Sequence, residues 1–313
     1  MRGARLGGAT GAVAGPVIWA AGLALPFALD SSWVSIAAFF AIYAITALSE
    51  DVILGRAGMF DMGHAVYFGI GAYVTAILNT TLNVPILLTL PLAMLLAAAA
   101  GALLSAPLIR LRGDYLLVAT IGFNAIFVLA MQNDPGGITG GSDGITGIGV
   151  PSLFGLQLES QSAMFWLDWV VLGAVLLVMR NLDRCEFGRA LRYLKQDELA
   201  AGTLGVDARA VKTLAFALGA ALAGLAGTLF AVQLSTVSPS SFVFTESVTL
   251  FAIVIVGGQG SIPGVLLGTA LMFVVPQIFR GLAEYRYFVF GIAMVAVMVL
   301  RPQGLLPRRR AVT

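Results

Sequence analysis

Histidine and cysteine each occur once in this 313-residue chain, at His64 and Cys185, and lysine occurs twice, at Lys195 and Lys212. Each scarcity excludes a class of chemistry. A phosphate-binding P-loop needs Gly-Lys-Ser/Thr, but the two lysines follow Leu194 and Val211, so this chain does not hydrolyse ATP through that fold. One histidine and one cysteine make a His/Cys zinc site implausible, and no metal or cofactor is expected. A single cysteine rules out an intrachain disulfide, and Cys185 reads as a small filler residue rather than a redox group. No Ser/His/acid spacing suggests a nucleophile, so the chain reads as non-catalytic. Charge is also scarce, at 11% of residues, where a soluble domain carries roughly 25%. A net charge of +2 gives no argument for nucleic acid.

What fills the chain is apolar: 59% of residues are hydrophobic. A membrane-spanning helix needs about 20 mostly apolar residues. Such segments fall at 10–29, 33–54, 64–82, 86–109, 115–132, 164–182 and 213–235. A last apolar region is broken by Gly257-Gly258-Gln259-Gly260 and Pro263, then by Arg280 to Arg286. It yields 247–261, 264–279 and 286–301, short enough to be tilted, kinked or re-entrant. The expected fold is therefore all-α: a single polytopic membrane helix bundle over 1–313 with about ten segments. The basic start of the chain, Arg2 and Arg5, would suit a secretory signal. The apolar run that follows is longer than the usual h-region of roughly 7–15 residues, which favours a retained first helix.

Positive charge tests the count. With alternating segments, Arg2, Arg5, Arg56, Arg110, Arg112, Arg301 and Arg308 to Arg310 share one side with a charged island after the sixth segment. The opposite loops, 30–32, 83–85, 133–163 and 236–246, hold no Lys or Arg, and only Arg280 and Arg286 fall on the wrong side. Basic loops stay in the cytoplasm, so both termini are expected there. The extracytoplasmic loop 133–163 is rich in glycine turns and reads either as a cover over an outer mouth or as a flexible connector.

The island, Arg180 to Lys212, gathers seven of the eighteen basic residues and five acids. Phe187, Leu191 and Leu194 lie on one helical face, with Arg189, Arg192 and Lys195 on others. Asp197 is placed to cap a second helix through Ala200 and Ala201, Gly205 to end it, and Asp207 to cap the seventh segment. A rigid amphipathic pair between two spans suits a docking lever. The alternative is a helix resting on anionic lipid, which five acids among seven bases disfavour.

Few polar residues fall within or beside the spans. His64 starts the third segment and weighs as a structural hydrogen bonder or a proton relay. Asn124 lies midway along the fifth and needs a pathway or an interhelical partner. Glu50 and Asp51 are expected to reach the cytoplasmic interface rather than bind an ion. Gly257-Gly258-Gln259-Gly260-Ser261 reads as a turn at the inner face, with a broken helix as the alternative. Gly219, Ala223 and Gly227, four apart with Ala220 and Gly224 beside them, and Gly264 with Gly268, suit close helix packing.

Several of these stretches resemble a known family. Gly63-His64-Ala65-Val66-Tyr67-Phe68-Gly69-Ile70-Gly71-Ala72-Tyr73, Thr139-Gly140-Gly141-Ser142-Asp143-Gly144-Ile145 and Phe187-Gly188-Arg189-Ala190-Leu191-Arg192 occur in order. Asp197-Glu198-Leu199-Ala200-Ala201 with Leu204-Gly205-Val206, then Ser238-Pro239, Gly257-Gly258-Gln259-Gly260-Ser261 and Arg301-Pro302-Gln303-Gly304-Leu305-Leu306 follow. Together, over roughly 50 to 306, they are similar to branched-chain amino-acid ABC permeases of the LivM type. The resemblance implies a type II importer-like fold in the bacterial inner membrane, a sister permease, two cytoplasmic ATPase subunits and a periplasmic binding protein. It implies a cytoplasmic coupling loop over 183–212, with Phe187, Gly188, Arg189, Leu191, Leu194, Asp197, Glu198, Ala201 and Gly205 as ATPase-coupling residues. His64, Asn124, Gly257, Gly258 and Gly260 are the candidates for the translocation path, on their own position and polarity or backbone, and Asn124 occupies a stretch where relatives vary. Phe60-Asp61-Met62 departs from the usual Leu-Ser-Leu and sets an acid near His64. Related groups move urea and short amides, so those solutes stay open. A proton-coupled secondary transporter using Asp61 and His64, and a non-transporting scaffold, are the rival readings.

Overall fold

Apolar length decides the architecture, because a backbone in lipid satisfies its own polar groups only as a helix or a closed barrel. A computed structural model describes residues 30–109, 114–153, 156–158 and 160–278, with 19, 22–23, 25–28, 288, 291–292, 295, 299 and 304–306. The principal helices are α1 (Ser31–Glu50), α2 (Ala65–Leu82), α3 (Ile86–Leu108), α4 (Asp114–Gln132), α5 (Gln161–Leu182), α6 (Glu186–Gln196), α7 (Glu198–Thr203), α8 (Ala208–Leu234), α9 (Phe244–Gly257) and α10 (Ile262–Thr269). Among the described residues, seven helical stretches are long and apolar enough to cross a membrane: Ser31–Arg56, Ala65–Leu82, Ile86–Leu108, Asp114–Gln132, Gln161–Leu182, Ala208–Leu234 and Pro239–Gly257. The chain is thus a polytopic helical membrane protein.

Expected segments 10–29 and 286–301 lie largely outside the described residues, as do Arg2, Arg5, Arg110, Arg112, Arg280, Arg286, Arg301 and Arg308 to Arg310. The expected segment 264–279 instead comprises α10, a π-helical turn at Ala270–Val274 and a last short helix at Val275–Ile278.

Helix α8 is the axis of the bundle. Its residues from Ala215 to Val232 are mostly buried, and it packs against α1, α2 and α3. The small residues anticipated in this segment explain the closeness. A Cβ added at Gly227 would collide with the Phe68 carbonyl of α2, one at Gly71 with the Gly224 carbonyl of α8, and one at Gly101 of α3 with Ala220 and Phe216 of α8. Thr75 of α2 donates a 2.8 Å hydrogen bond to Thr228 of α8 across the same seam. In contrast, α3 and α4 leave apolar stripes outside, including Leu88, Leu95 and Leu103 on α3 and Val118, Ile126 and Leu129 on α4.

The loop 133–163 is tied down rather than a free connector. Its strand β1 (Ile145–Thr146) pairs antiparallel with a strand at Thr236–Val237 just after α8. Asp134 accepts from the backbone and hydroxyl of Thr139 at 2.7 and 2.9 Å. The Thr139 backbone N–H, joined by that hydroxyl, holds the Asp134 carboxyl below its usual range. Farther along, the Gly149 N–H donates to Asn79 at the end of α2.

Candidate functional site

Helix α1 does not stop at its last regular turn. It continues as a π-helical turn, Asp51–Arg56, in which the Ala57 N–H reaches the Val52 carbonyl five residues back at 3.2 Å. Such wide turns are frequent at functional sites. Gly58 then takes φ +72°, a left-handed conformation that disfavours side chains with a Cβ, and the chain folds back into α2. Four charged groups are thereby buried at one end of the bundle: Glu50, Asp51, Arg56 and Asp61 are at most 2% exposed, and His64 is fully covered.

This corrects one expectation. Glu50 and Asp51 do not reach an interface; like His64, both are 0% exposed. The reason is tertiary: the π-turn, the start of α2, α9 and the turn after α9 close over them together.

Two sub-clusters share this knot. In the first, Asp51 pairs with Arg56 and accepts from the Gly260 N–H at 2.7 Å, and Arg56 also reaches Asp183 at the end of α5, at 3.2 Å. Lys195 of α6 lays its stem over Gly58 and donates to the Gly55 carbonyl at 2.7 Å and to Gln259 at 2.8 Å. Burial holds the Lys195 ammonium below its usual pKa; the Asp51 carboxylate opposes that shift and Arg56 adds to it. In the second, the His64 ring lies between Ser49, at 2.6 Å from Nε2, and two carboxylates, Glu50 at 2.8 Å and Asp61 at 3.5 Å from Nδ1. The turn that presents them is fixed from three sides. The Gly63 N–H donates to Asp61, the Met62 N–H to Thr120 of α4, and the Ala65 N–H to Ser247 of α9.

The stretch 257–261 is a turn: α9 ends at Gly257 and α10 starts at Ile262. Gly257 packs on the backbone of Gly264, and Gly258 takes φ +123°. Leu305 and Leu306 donate to the carbonyls of Val256 and Gly257, which brings the last family-like motif onto this turn; Arg301 to Gln303 of that motif lie outside the described residues. Asn124 belongs to a separate contact, where its amide N–H donates to the Phe242 carbonyl, just before α9, at 3.1 Å.

The island folds as the capping residues dictate. Asp197 accepts from the N–H groups of Leu199 and Ala200, starting α7. Gly205, at φ +82°, follows its end, and Asp207 accepts from Arg209 and Ala210 to start α8. Each cap of this type contributes about 1 kcal/mol. Of the residues nominated for coupling, Gly188, Leu191, Leu194 and Ala201 are buried against the chain's own core and shape the hairpin from within. Phe187 is half-buried, Arg189 is exposed beside Glu186, and Glu198 pairs with Lys212 at 2.8 Å. The most exposed apolar groups of the hairpin are Leu199 and Leu204, 77% and 72% exposed on the short helix and its end, ahead of Tyr193 on α6. Reasoning from the sequence passes over both leucines, and also over Lys195, Gln259 and Arg56 as tying residues. A signal exists for the last. Glu50, Asp51, Arg56 and Asp61 interrupt an otherwise apolar run, and charges buried within a bundle need partners of opposite sign.

Comparison with known proteins places this architecture. Residues 32–298 match the family model described as branched-chain amino acid transport system / permease component. The high-affinity branched-chain amino acid transport system permease protein LivM of Escherichia coli K12 is 40% identical over 311 residues, covering 92% of this chain and 73% of that protein. A probable LivM of Methanocaldococcus jannaschii is 26% identical, covering 88% and 93%. The LivH permease protein of Escherichia coli K12 is 26% identical, covering 85% and 91%. No solved structure matches the chain. With a family model spanning most of its length and a bundle of apolar helices to match, the chain belongs to the family of branched-chain amino acid transport system permease components.

Proposed function

We propose that this chain is the membrane permease subunit of an ABC importer for branched-chain or other small, mainly apolar amino acids, and that the hairpin α6–α7 is its contact with a cytoplasmic ATPase. The observation that carries the proposal is the hairpin itself. Two capped helices hold Leu199 and Leu204 outward on a rigid, otherwise polar tip, and exposed apolar groups of this kind mark partner surfaces. Lys195 and Arg56 tie the same hairpin to the inner ends of α1, α5 and α9. A displacement of the hairpin therefore moves several spans at once. Nucleotide binding by the partners supplies the motion, and alternating access of the bundle converts it to transport.

Further partners follow from the same reading. Escherichia coli K12 has both a LivM and a LivH permease protein similar to this chain, which supports a sister permease. The apolar stripes on α3 and α4 offer surface for that sister and for lipid. A binding protein outside the inner membrane delivers the solute, and both termini face the cytoplasm, in keeping with the basic residues on the hairpin side. Urea and short amides are the alternative solutes.

Leu199→Asp tests the hairpin. Truncation of an interface anchor costs about 2–4 kcal/mol, so affinity for the ATPase should fall roughly 30- to 1,000-fold while the purified permease pair keeps its thermal stability. Solute-stimulated ATPase activity and uptake in proteoliposomes read the result. Unchanged ATPase association, or uptake driven by a proton gradient with no ATPase present, would overturn the reading.

A further inference from the structure

The proton inventory around His64 leaves a gap. Ser49 donates its hydroxyl proton to the Thr46 carbonyl at 2.6 Å, since a carbonyl can only accept. Its oxygen, 2.6 Å from His64 Nε2, therefore accepts from that nitrogen. In the neutral ring this assigns the proton to Nε2 and leaves a lone pair on Nδ1. That lone pair faces Glu50 at 2.8 Å and Asp61 at 3.5 Å. Three electron-rich groups facing one another repel unless a cation lies among them.

Among the described residues, no lysine or arginine fills that role. Among the described residues, neither Glu50 nor Asp61 forms an ion pair with a lysine or arginine. Arg56 is engaged by Asp51 and Asp183, and Lys195 by Gly55 and Gln259. Nδ1 and Glu50 lie 2.8 Å apart, which makes an ion pair only when Nδ1 carries a proton. Both Glu50 oxygens, Asp61 Oδ2 and Nδ1 are buried without a hydrogen bond. A proton on Nδ1 would serve one carboxylate and leave the other as a buried net charge, which is costly in a low-dielectric interior. A divalent ion neutralises both and contacts all three donors.

We propose that Glu50, Asp61 and His64 form a binding site for a divalent transition-metal ion of the zinc or manganese class. One ligand atom from each side chain lies within 4.8 Å of the others, a span that one ion bridges with small side-chain adjustments. One imidazole nitrogen with two carboxylates suits zinc, manganese, iron(II) or cobalt(II) better than magnesium or calcium, which take oxygen ligands. Ser49 supplies the outer hydrogen bond that fixes the ring, as metal-bound histidines usually require. The ion would staple the inner end of α1 to the start of α2, beside the turn that Lys195 holds. The site draws on these residues alone and is independent of which solute the bundle carries.

The test uses the full-length permease, purified without a polyhistidine tag, in lipid nanodiscs. Metal content is measured by mass spectrometry as purified, after chelation, and after addition of zinc sulfate or manganese chloride. The expected result is about one ion per chain, lost in E50Q/D61N and in H64Q. Unfolding temperature should rise with zinc or manganese in the wild type and not in the variants. S49A keeps all three ligands, and loss of the outer hydrogen bond is expected to weaken the metal by about 10- to 100-fold, which covers the case of ligand variants that fail to fold. Wild-type protein that is metal-free as purified, takes up neither ion and shows no thermal shift overturns the proposal and leaves a proton shared between His64 and Glu50. Binding retained in a folded E50Q/D61N protein overturns it as well.

Discussion

The middle of the bundle and its hairpin end are held by opposite means. Along the α2–α8 seam, glycines bring backbones into contact, and Gly227 lies against the Phe68 carbonyl with no room for a Cβ. At the hairpin end, Asp51, Arg56, Asp183, Lys195 and Gln259 meet through charge and hydrogen bonds. The seam depends on shape: dispersion contacts are short-ranged and many, so the helices behave as one body. The knot depends on a few strong directional contacts. A transporter needs both, a rigid body to move and a joint that transmits the motion. On the proposed function, α8 would supply the body, and the π-turn with the turn after α9 the joint.

Removing the guanidinium from the knot should have the largest effect on stability. Arg56→Ala leaves Asp51 buried beside a single backbone donor, and losing one partner of a buried pair costs about 3–5 kcal/mol. The unfolding temperature in detergent should drop sharply, and Asp51→Asn in the same chain should restore much of it, as a double-mutant cycle would measure. An unchanged unfolding temperature in Arg56→Ala would mean the knot carries no mechanical load.

The seam should respond next. Gly227→Val forces a branched side chain into the Phe68 carbonyl, and overpacking of this kind costs typically about 1–3 kcal/mol. Here no second-site change of charge should rescue the protein, whereas shortening the facing side chain, Phe68→Ala, leaves the backbone clash in place. Rescue by Phe68→Ala would show that side chains rather than backbones set the spacing.

The smallest change in stability should come from Lys195→Met, and it sharpens the contrast most. The hairpin keeps its caps and its buried Leu191 and Leu194, so thermal stability should shift by under about 1 kcal/mol, the scale of a single net hydrogen bond. Transport per ATP hydrolysed should nevertheless fall several-fold, because the link from α6 to Gly55 and Gln259 is lost. Equal losses of ATPase activity and transport would point to a docking fault instead.

Much of the hairpin is legible in its own residues. Asp197, Gly205 and Asp207 act through backbone groups two or three residues away, so local sequence suffices to place them. The spans are legible for a similar reason, since the energy of an apolar helix in lipid is a sum over its own residues. Their edges shift: the seventh starts at Ala208 rather than 213 because Asp207 and the polar first turn belong to the same helix. The knot is not legible in this way. Reading Glu50 and Asp51 outward follows from the cost of burying a lone charge, and it fails because the fold buries partners with them, Arg56 beside Asp51 and His64 beside Glu50, under groups from far along the chain. Gly260 lies 209 residues from Asp51, and Lys195 lies 140 from Gly55. Likewise Leu191 and Leu194 share a face that periodicity identifies, but periodicity does not say whether the face meets a partner or the chain's own core.

Three properties of this protein are therefore written locally: repeated crossing of a membrane, a charged hairpin between two of the spans, and the points where that hairpin's helices begin and end. Each depends on residues within one or two helical turns. The packing of the helices settled the rest: that Glu50, Asp61 and His64 face one another, that Lys195 bridges to Gln259, and which leucines of the hairpin remain outside. Those contacts arise where separate helices meet, and no local pattern encodes the position of a partner on another helix.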